Sequence, residues 1–272
     1  MSFADLPPLR ESLAAAGLWA RKGLGQHFLL DLNLTAKIAR LAGPLEGETV
    51  IEVGPGPGGL TRALLEAGAR VVAVEKDARF APLLEALAAR ADGRLTLILG
   101  DALKLGPEAL PTGAPIVANL PYNVATPLLA QWLTGPLQPR SMTLMFQKEV
   151  ALRIAAAPGS KTYGRLSVLA QALAEARVAL ELPARAFTPP PKVDSAVVRL
   201  EPRPERPREA LVDALRRVTT AAFGQRRKML RSSLRGLGGE ALCATAGIAP
   251  DIRAEDVSVE DYLALARAVA DR

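Results

Sequence analysis

The chain has 272 residues, 49% of them apolar, and a net charge of +6. That length accommodates one large α/β domain with a small appendix, or two medium domains, and the apolar share sustains a core without staples. A single cysteine (Cys243) and a single histidine (His27) rule out an internal disulfide and a zinc site of the usual ligand types, so no metal is expected.

Residues 1–25 form an amphipathic, slightly basic start that leads into Gly25-Gln26-His27-Phe28-Leu29. Asp5, Pro7, Pro8 and Glu11 interrupt this stretch, so no secretory leader is expected. No apolar run approaches the roughly 18 residues of a membrane span. A cytoplasmic protein without membrane association is expected, and one cysteine fits a reducing compartment.

A helical pattern runs over 32–41 and ends at Gly43 and Pro44. Strands and helices then alternate. Thr49–Val53 reads as a buried strand, Thr61–Ala67 as a helix, Arg70–Glu75 as a strand and Ala78–Ala91 as a helix. Leu95–Leu99 and Pro115–Asn119 follow as strands, Ala125–Leu133 as a helix and Ser141–Phe146 as a strand. This order predicts an α/β fold with a mostly parallel, doubly wound sheet. After about residue 178 the rhythm changes. Val178–Leu182 and Ala196–Leu200 read as a closing antiparallel pair around a stiff polyproline segment, Phe187-Thr188-Pro189-Pro190-Pro191-Lys192. Pro202–Pro207 is the linker candidate, and only helical patterns lie beyond it. The expected division is 1–205 for the α/β domain and 206–272 for a small all-α domain.

The charge is unevenly placed. Arg216, Arg217, Arg226, Arg227, Lys228, Arg231 and Arg235 fall within 215–235, where no acidic residue occurs. Without them the chain is nearly neutral. A patch of this kind suits a polyanion such as nucleic acid, although a solvated helix face gives the same pattern.

Glu52-Val53-Gly54-Pro55-Gly56-Pro57-Gly58-Gly59 follows a strand and precedes a helix. Its glycines allow a tight turn and close approach of a cofactor to the backbone. Gly54, Gly56 and Gly59 satisfy the dinucleotide fingerprint, and Glu75 stands at the right distance to hold ribose hydroxyls. The loop alone therefore fits a nicotinamide cofactor or S-adenosylmethionine equally. Gly100-Asp101 follows the third strand, where a carboxylate can accept from an adenine amine or simply cap a turn. Asn119 ends the fourth. Gly54, Glu75, Asp101 and Asn119 then share the carboxyl edge of one parallel sheet, where such folds bind ligands.

Asn119-Leu120-Pro121-Tyr122 carries the chemistry. An adenine N6 amine is a poor nucleophile because its lone pair is delocalised into the ring. It needs hydrogen-bond acceptors rather than a strong base. The Asn119 oxygen can take one N–H, and the Leu120 or Pro121 carbonyl the other. Pro121 stiffens the turn, and Tyr122 can stack on an unstacked base. Preorganised acceptors stabilise positive charge developing on nitrogen.

With those residues in view, the chain resembles the ribosomal RNA adenine dimethyltransferases, of the bacterial small-subunit (kasugamycin-sensitivity) type. The likeness runs through Lys22–Leu29, Glu52–Gly58, Glu75, Gly100-Asp101 and Asn119–Tyr122. It continues in Phe146-Gln147-Lys148-Glu149-Val150-Ala151, Phe187–Ala196 and Phe223-Gly224-Gln225-Arg226-Arg227-Lys228. The resemblance implies a Rossmann-like class I methyltransferase fold and S-adenosyl-L-methionine as cofactor. The implied substrate is two adjacent adenines in the last stem-loop of small-subunit ribosomal RNA, each becoming N6,N6-dimethyladenine, with the pre-30S particle as partner and a monomer as the working form. It implies that Gln26, His27 and Leu29 close over the cofactor, beside Gly54, Gly56 and Asn119. Glu75 with Lys76 would then serve its ribose, and Asp101 with Ala102 its adenine. It also implies that Phe187 holds the flipped base opposite Tyr122, and that Arg226, Arg227, Lys228 and Arg231 meet RNA. One departure stands out: the family commonly has Asn where this chain has His27, which puts that side chain's contact with the cofactor in question.

Three other readings compete. A sister enzyme that methylates large-subunit RNA and confers macrolide resistance would share the pocket, but Pro189–Pro191 and the Arg226–Lys228 tail favour the small-subunit type. A ribosome-assembly factor would act by binding rather than catalysis. In a nicotinamide oxidoreductase, Asn119–Tyr122 has no evident task.

Overall fold

The fold was obtained as a computed structural model, and it describes residues 3, 5–21, 23 and 25–271. Lys22 and Leu24 of the first motif lie outside the described residues. The chain divides into two compact units, residues 1–151 with 178–201 and residues 152–177 with 202–272.

In the first unit, α1 (Leu9–Ala15) precedes a two-residue strand, β1 (Phe28–Leu29), and α2 (Leu32–Leu41). Asp31 caps α2 by accepting the Asn33 and Leu34 amides, a cap worth about 1 kcal/mol. The alternating core comprises β2 (Thr49–Val53), α3 (Gly59–Glu66), β3 (Arg70–Glu75), α4 (Ala81–Ala89), β4 (Leu95–Leu99), β5 (Ile116–Asn119), α5 (Tyr122–Thr134) and β6 (Met142–Gln147). In chain order, α6 (Lys148–Ile154) and α7 (Arg165–Leu173), the latter belonging to the second unit, come before β7 (Ala174–Leu182), β8 (Phe187–Thr188) and β9 (Ser195–Pro202).

The seven-stranded sheet has the order β4-β3-β2-β5-β6-β9-β7. All pairings from β4 to β6 are parallel, and β6 pairs antiparallel with β9. This is the mostly parallel, doubly wound sheet the sequence predicts. Strand order reverses between β2 and β5, so a crevice opens at their carboxyl ends. The register brings Val53 beside Val74, Glu75 beside Leu99 and Asn119 beside Met145. Val50, Ile51, Val71, Ile116 and Val117 are essentially fully buried. β-branched residues on central strands covered on both faces explain those continuous apolar runs.

Two differences from the sequence reading matter for function. Helix α5 starts at Tyr122, three residues earlier than predicted, with Pro121 as its N-cap residue. The fixed φ of Pro121 suits a helix entrance, so the Asn119–Tyr122 motif spans a strand end and a helix start. The proline-rich segment, for its part, begins as strand β8, which pairs antiparallel with β1: Phe28 opposes Thr188 and Leu29 opposes Phe187.

In the second unit, α8 (Glu209–Gly224), α9 (Leu230–Ser233), α10 (Gly239–Ala246) and α11 (Val259–Ala270) follow one another. Leu152–Arg177 belongs here too, although the sequence division placed it with the α/β domain. The reason is packing: Tyr163, Val168 and Ala172 share one buried cluster with Leu215, Val218, Tyr262 and Leu265. Phe223 lies 6.0 Å edge-on from Tyr163 and stacks on Tyr262 at 5.6 Å. The Tyr163 and Tyr262 hydroxyls donate to the Val257 and Ala254 carbonyls.

Candidate active site

The crevice holds a cleft lined by the glycine loop, by Gln26–Leu29, by Glu52 and Glu75, and by Asn119–Tyr122. The loop takes the backbone conformation that glycine permits: φ is +71° at Gly54 and +53° at Gly56. A Cβ at Gly56 would stand 3.3 Å from the Phe28 ring, and one at Gly59 only 2.8 Å from the Leu29 carbonyl. Side chains there would fill the cradle or push β1 away from α3.

Glu75 sits at the end of β3, 5% exposed. One carboxylate oxygen accepts the Gly56 amide at 2.9 Å and the other the Asp77 amide at 2.7 Å. Burial raises its pKa, and those amides oppose the rise. Glu52, 1% exposed, is pushed up to about 8, chiefly by burial, with the Glu75 charge adding to the rise. Glu52 Oε2 has no hydrogen-bond partner among the described residues. In the sequence, only the place of Glu52 just before the first glycine of the loop marks it as a site residue.

Gln26 donates to Asp77 at 3.0 Å and accepts the Arg21 amide at 2.9 Å, so it fastens the β1 approach to the β3 end. Arg79 and Gln26 together hold Asp77 down to about 2, Arg79 being the larger cause. The Asn119 side-chain nitrogen donates to the His27 carbonyl at 3.2 Å. Pro121's carbonyl already accepts two amides, from Val124 and Ala125. Of the two backbone acceptors the sequence offered, Leu120's is therefore the one left for a ligand. The Tyr122 hydroxyl shares a 2.6 Å hydrogen bond with buried Ser195, another residue the sequence reading quoted but gave no role.

Four expected site residues, Lys76, Asp101, Ala102 and Phe187, lie outside the immediate lining of the cleft. Asp101 is bound by Lys76 at 2.9 Å and accepts the Leu103 amide at 3.1 Å, and Lys76 is the main reason its pKa falls. Phe187 does not face Tyr122 across an open gap. Pairing with Leu29 turns it into the sheet-side core, where it is 3% exposed.

The basic patch is also partly spent. Arg226 binds Glu255 at 2.8 Å and the Lys161 carbonyl at 3.0 Å, and Arg231 binds Asp251 at 3.0 Å. Their acidic partners come from later in the chain, so the local charge count missed them. Arg227 and Lys228 are exposed and have no ion pair among the described residues.

The model of the family described as ribosomal RNA adenine dimethylase matches residues 17–271. The chain belongs to that family. It is 66% identical over 270 residues to "Ribosomal RNA small subunit methyltransferase A" of Phenylobacterium zucineum, covering 98% of this chain and 94% of the relative. A protein of the same name from Caulobacter vibrioides is 66% identical over 251 residues, covering 92% of this chain and 97% of the relative. Among solved structures, the 23S rRNA methyltransferase ErmE is 27% identical with a TM-score of 0.69, covering 90% of this chain and all of its own. A dimethyladenosine transferase from Plasmodium falciparum shares the fold at a TM-score of 0.75 and 24% identity, with 88% and 96% covered. The chain is thus an S-adenosylmethionine-dependent ribosomal RNA adenine dimethyltransferase with a class I methyltransferase fold. The residues present suit that cofactor: a glycine cradle for the backbone approach, a carboxylate for hydroxyls, and a second buried carboxyl with an unused oxygen. Among the described residues no helix is long and apolar enough to cross a membrane.

Proposed function

We propose that this enzyme dimethylates two adjacent adenines in the 3′-terminal stem-loop of small-subunit ribosomal RNA, within a pre-30S particle, as a cytoplasmic monomer, and that the modification is coupled to subunit maturation. The observation that carries the subunit assignment is the 66% identity over 98% of the chain to a relative named for the small subunit, against 27% to the large-subunit enzyme.

In this reading, Asn119 Oδ1 and the Leu120 carbonyl accept the two N–H groups of the target amine and localise its lone pair toward the cofactor. Tyr122, fixed by Ser195, gives the flipped base a stacking face. S-adenosylmethionine supplies a methyl group on a sulfonium, so alignment rather than strong base is what the protein must provide. The proton leaves the nitrogen to water after transfer. Glu75, Gly54 and Gly56 hold the ribose side, with Gln26, the His27 backbone and Leu29 above. Asp101 and Ala102 take the adenine end once exposed Lys76 swings aside, since a surface pair of this kind holds weakly. Phe187 supports β1 from below rather than stacking on the base. The helical unit docks RNA through Arg227 and Lys228, with Arg226 and Arg231 shaping the surface around them.

Incubating the protein with labelled cofactor and unmethylated small and large subunits, then analysing the nucleosides of each RNA, tests this directly. N6,N6-dimethyladenine in the 3′-terminal stem-loop is the expected product, and labelling of large-subunit RNA alone would defeat it. A second reading, an assembly factor whose binding matters more than its chemistry, draws on the unpaired Arg227 and Lys228. Full rescue of subunit maturation by an Asn119→Ala protein would favour it.

A further inference from the structure

His27 touches three parts of the site at once. Its ring stacks on Tyr122, with centroids 5.4 Å apart and planes inclined by 26°. Its Nδ1 lies 2.8 Å from the Pro189 carbonyl, which can only accept, so Nδ1 carries a hydrogen. Its own backbone carbonyl receives the Asn119 side-chain N–H. Immediately after it, Phe28 and Leu29 pair with Thr188 and Phe187, so the residue is anchored on both sides of the β1–β8 pair.

We propose that His27 is a positioning residue for the target base: its ring serves Tyr122 and its backbone carbonyl serves Asn119, and the side chain does not serve the cofactor. The inference rests on the dimethyltransferase reading of the cleft. An amide has an acceptor end and a donor end of nearly equal shape. Turned the wrong way, Asn119 would present N–H to an amine and repel it. The His27 carbonyl engages the donor end and leaves Oδ1 for the substrate. The imidazole covers one face of Tyr122, while Ser195 holds the phenol at its far end. A base entering the cleft therefore meets a single fixed face. The bond to Pro189 keeps the imidazole over the phenol and ties its placement to the segment after β8.

The test uses the full-length protein with His27→Ala, His27→Asn and His27→Phe. Cofactor affinity is measured by calorimetry with S-adenosylmethionine alone, and kcat and KM are measured on unmethylated small subunits. The alanine variant should bind cofactor as the wild type does while kcat falls roughly 10- to 100-fold, the scale of loss for a misplaced reacting group; the asparagine variant, which carries the residue common in the family, should bind cofactor equally and lose less. The phenylalanine variant retains a ring over Tyr122 and should recover most of that loss. Weaker cofactor binding with kcat intact would overturn the proposal, and so would His27→Phe behaving no better than His27→Ala. A wild-type protein that leaves adenine unmethylated would instead defeat the dimethyltransferase reading, which the ratios among variants do not address.

Discussion

Glu75 and Gly56 meet at 2.9 Å, a buried carboxylate accepting the amide of the residue at the centre of the glycine loop. One side chain thereby fixes both the loop and the end of the neighbouring strand. Substituting Glu75 by Gln keeps the shape and removes the charge. Losing a charge-assisted bond costs on the order of 1.5–3 kcal/mol, so cofactor affinity should fall roughly 10- to 100-fold by calorimetry. Undiminished affinity would show that the loop holds its form without the carboxylate.

Asn119→Ala removes the acceptor but none of the cradle. Loss of one preorganised hydrogen-bonding group at a reacting centre costs about 100- to 1,000-fold in kcat. That drop should appear with cofactor binding essentially unchanged. Equal losses in cofactor affinity and turnover would place Asn119 in the cofactor's site instead.

Glu52 makes stability depend on pH. Its native pKa of about 8 lies above the unfolded value of 4.5, so the folded chain holds this proton more tightly. Stability is therefore fullest below the unfolded value and declines as pH rises toward 8, by up to about 1.4 kcal/mol per pH unit from this group. Glu52→Gln cannot ionise and should melt with a shallower pH dependence, overtaking the wild type near pH 8. Parallel melting curves for the two proteins between pH 5 and 8 would contradict it.

The ion pairs on the helical unit sort the basic residues. Arg227→Ala and Lys228→Ala should each flatten the salt dependence of RNA affinity by roughly 0.7–0.9 in logarithmic slope, as one phosphate contact is lost. Arg226→Ala and Arg231→Ala should change that slope less, since Glu255 and Asp251 already neutralise them. Filter binding across a salt series separates the two pairs, and identical slopes for all four variants would remove the distinction.

The sheet was legible because its strands are short, β-branched and bounded by glycine turns, as in Thr49–Val53 and Arg70–Glu75. The glycine loop and Asn119–Tyr122 were legible because each is contiguous in the chain. The pairing of Phe28–Leu29 with Phe187–Thr188 was not: two-residue strands have no periodicity, and their partners lie far apart. The burial of Phe187 follows from that pairing, so it was missed for the same cause. Arg226 and Arg231 looked free because their partners, Glu255 and Asp251, lie well outside the basic stretch. Helices α6 and α7 went unread, and with them the membership of Leu152–Arg177 in the helical unit.

The β1–β8 pair also has a consequence in time. A ribosome makes the glycine loop, Glu75 and Asn119 long before it makes Phe187 and Thr188. Until that later strand emerges, the roof formed by Gln26–Leu29 has only the Gln26–Asp77 and Asn119–His27 bonds and lacks its strand partner, and the loop-closure cost of joining such distant segments comes late. The half-made enzyme thus carries its cofactor cradle without its cover. The strand partner that completes the cover exists only when about two thirds of the chain has been synthesised.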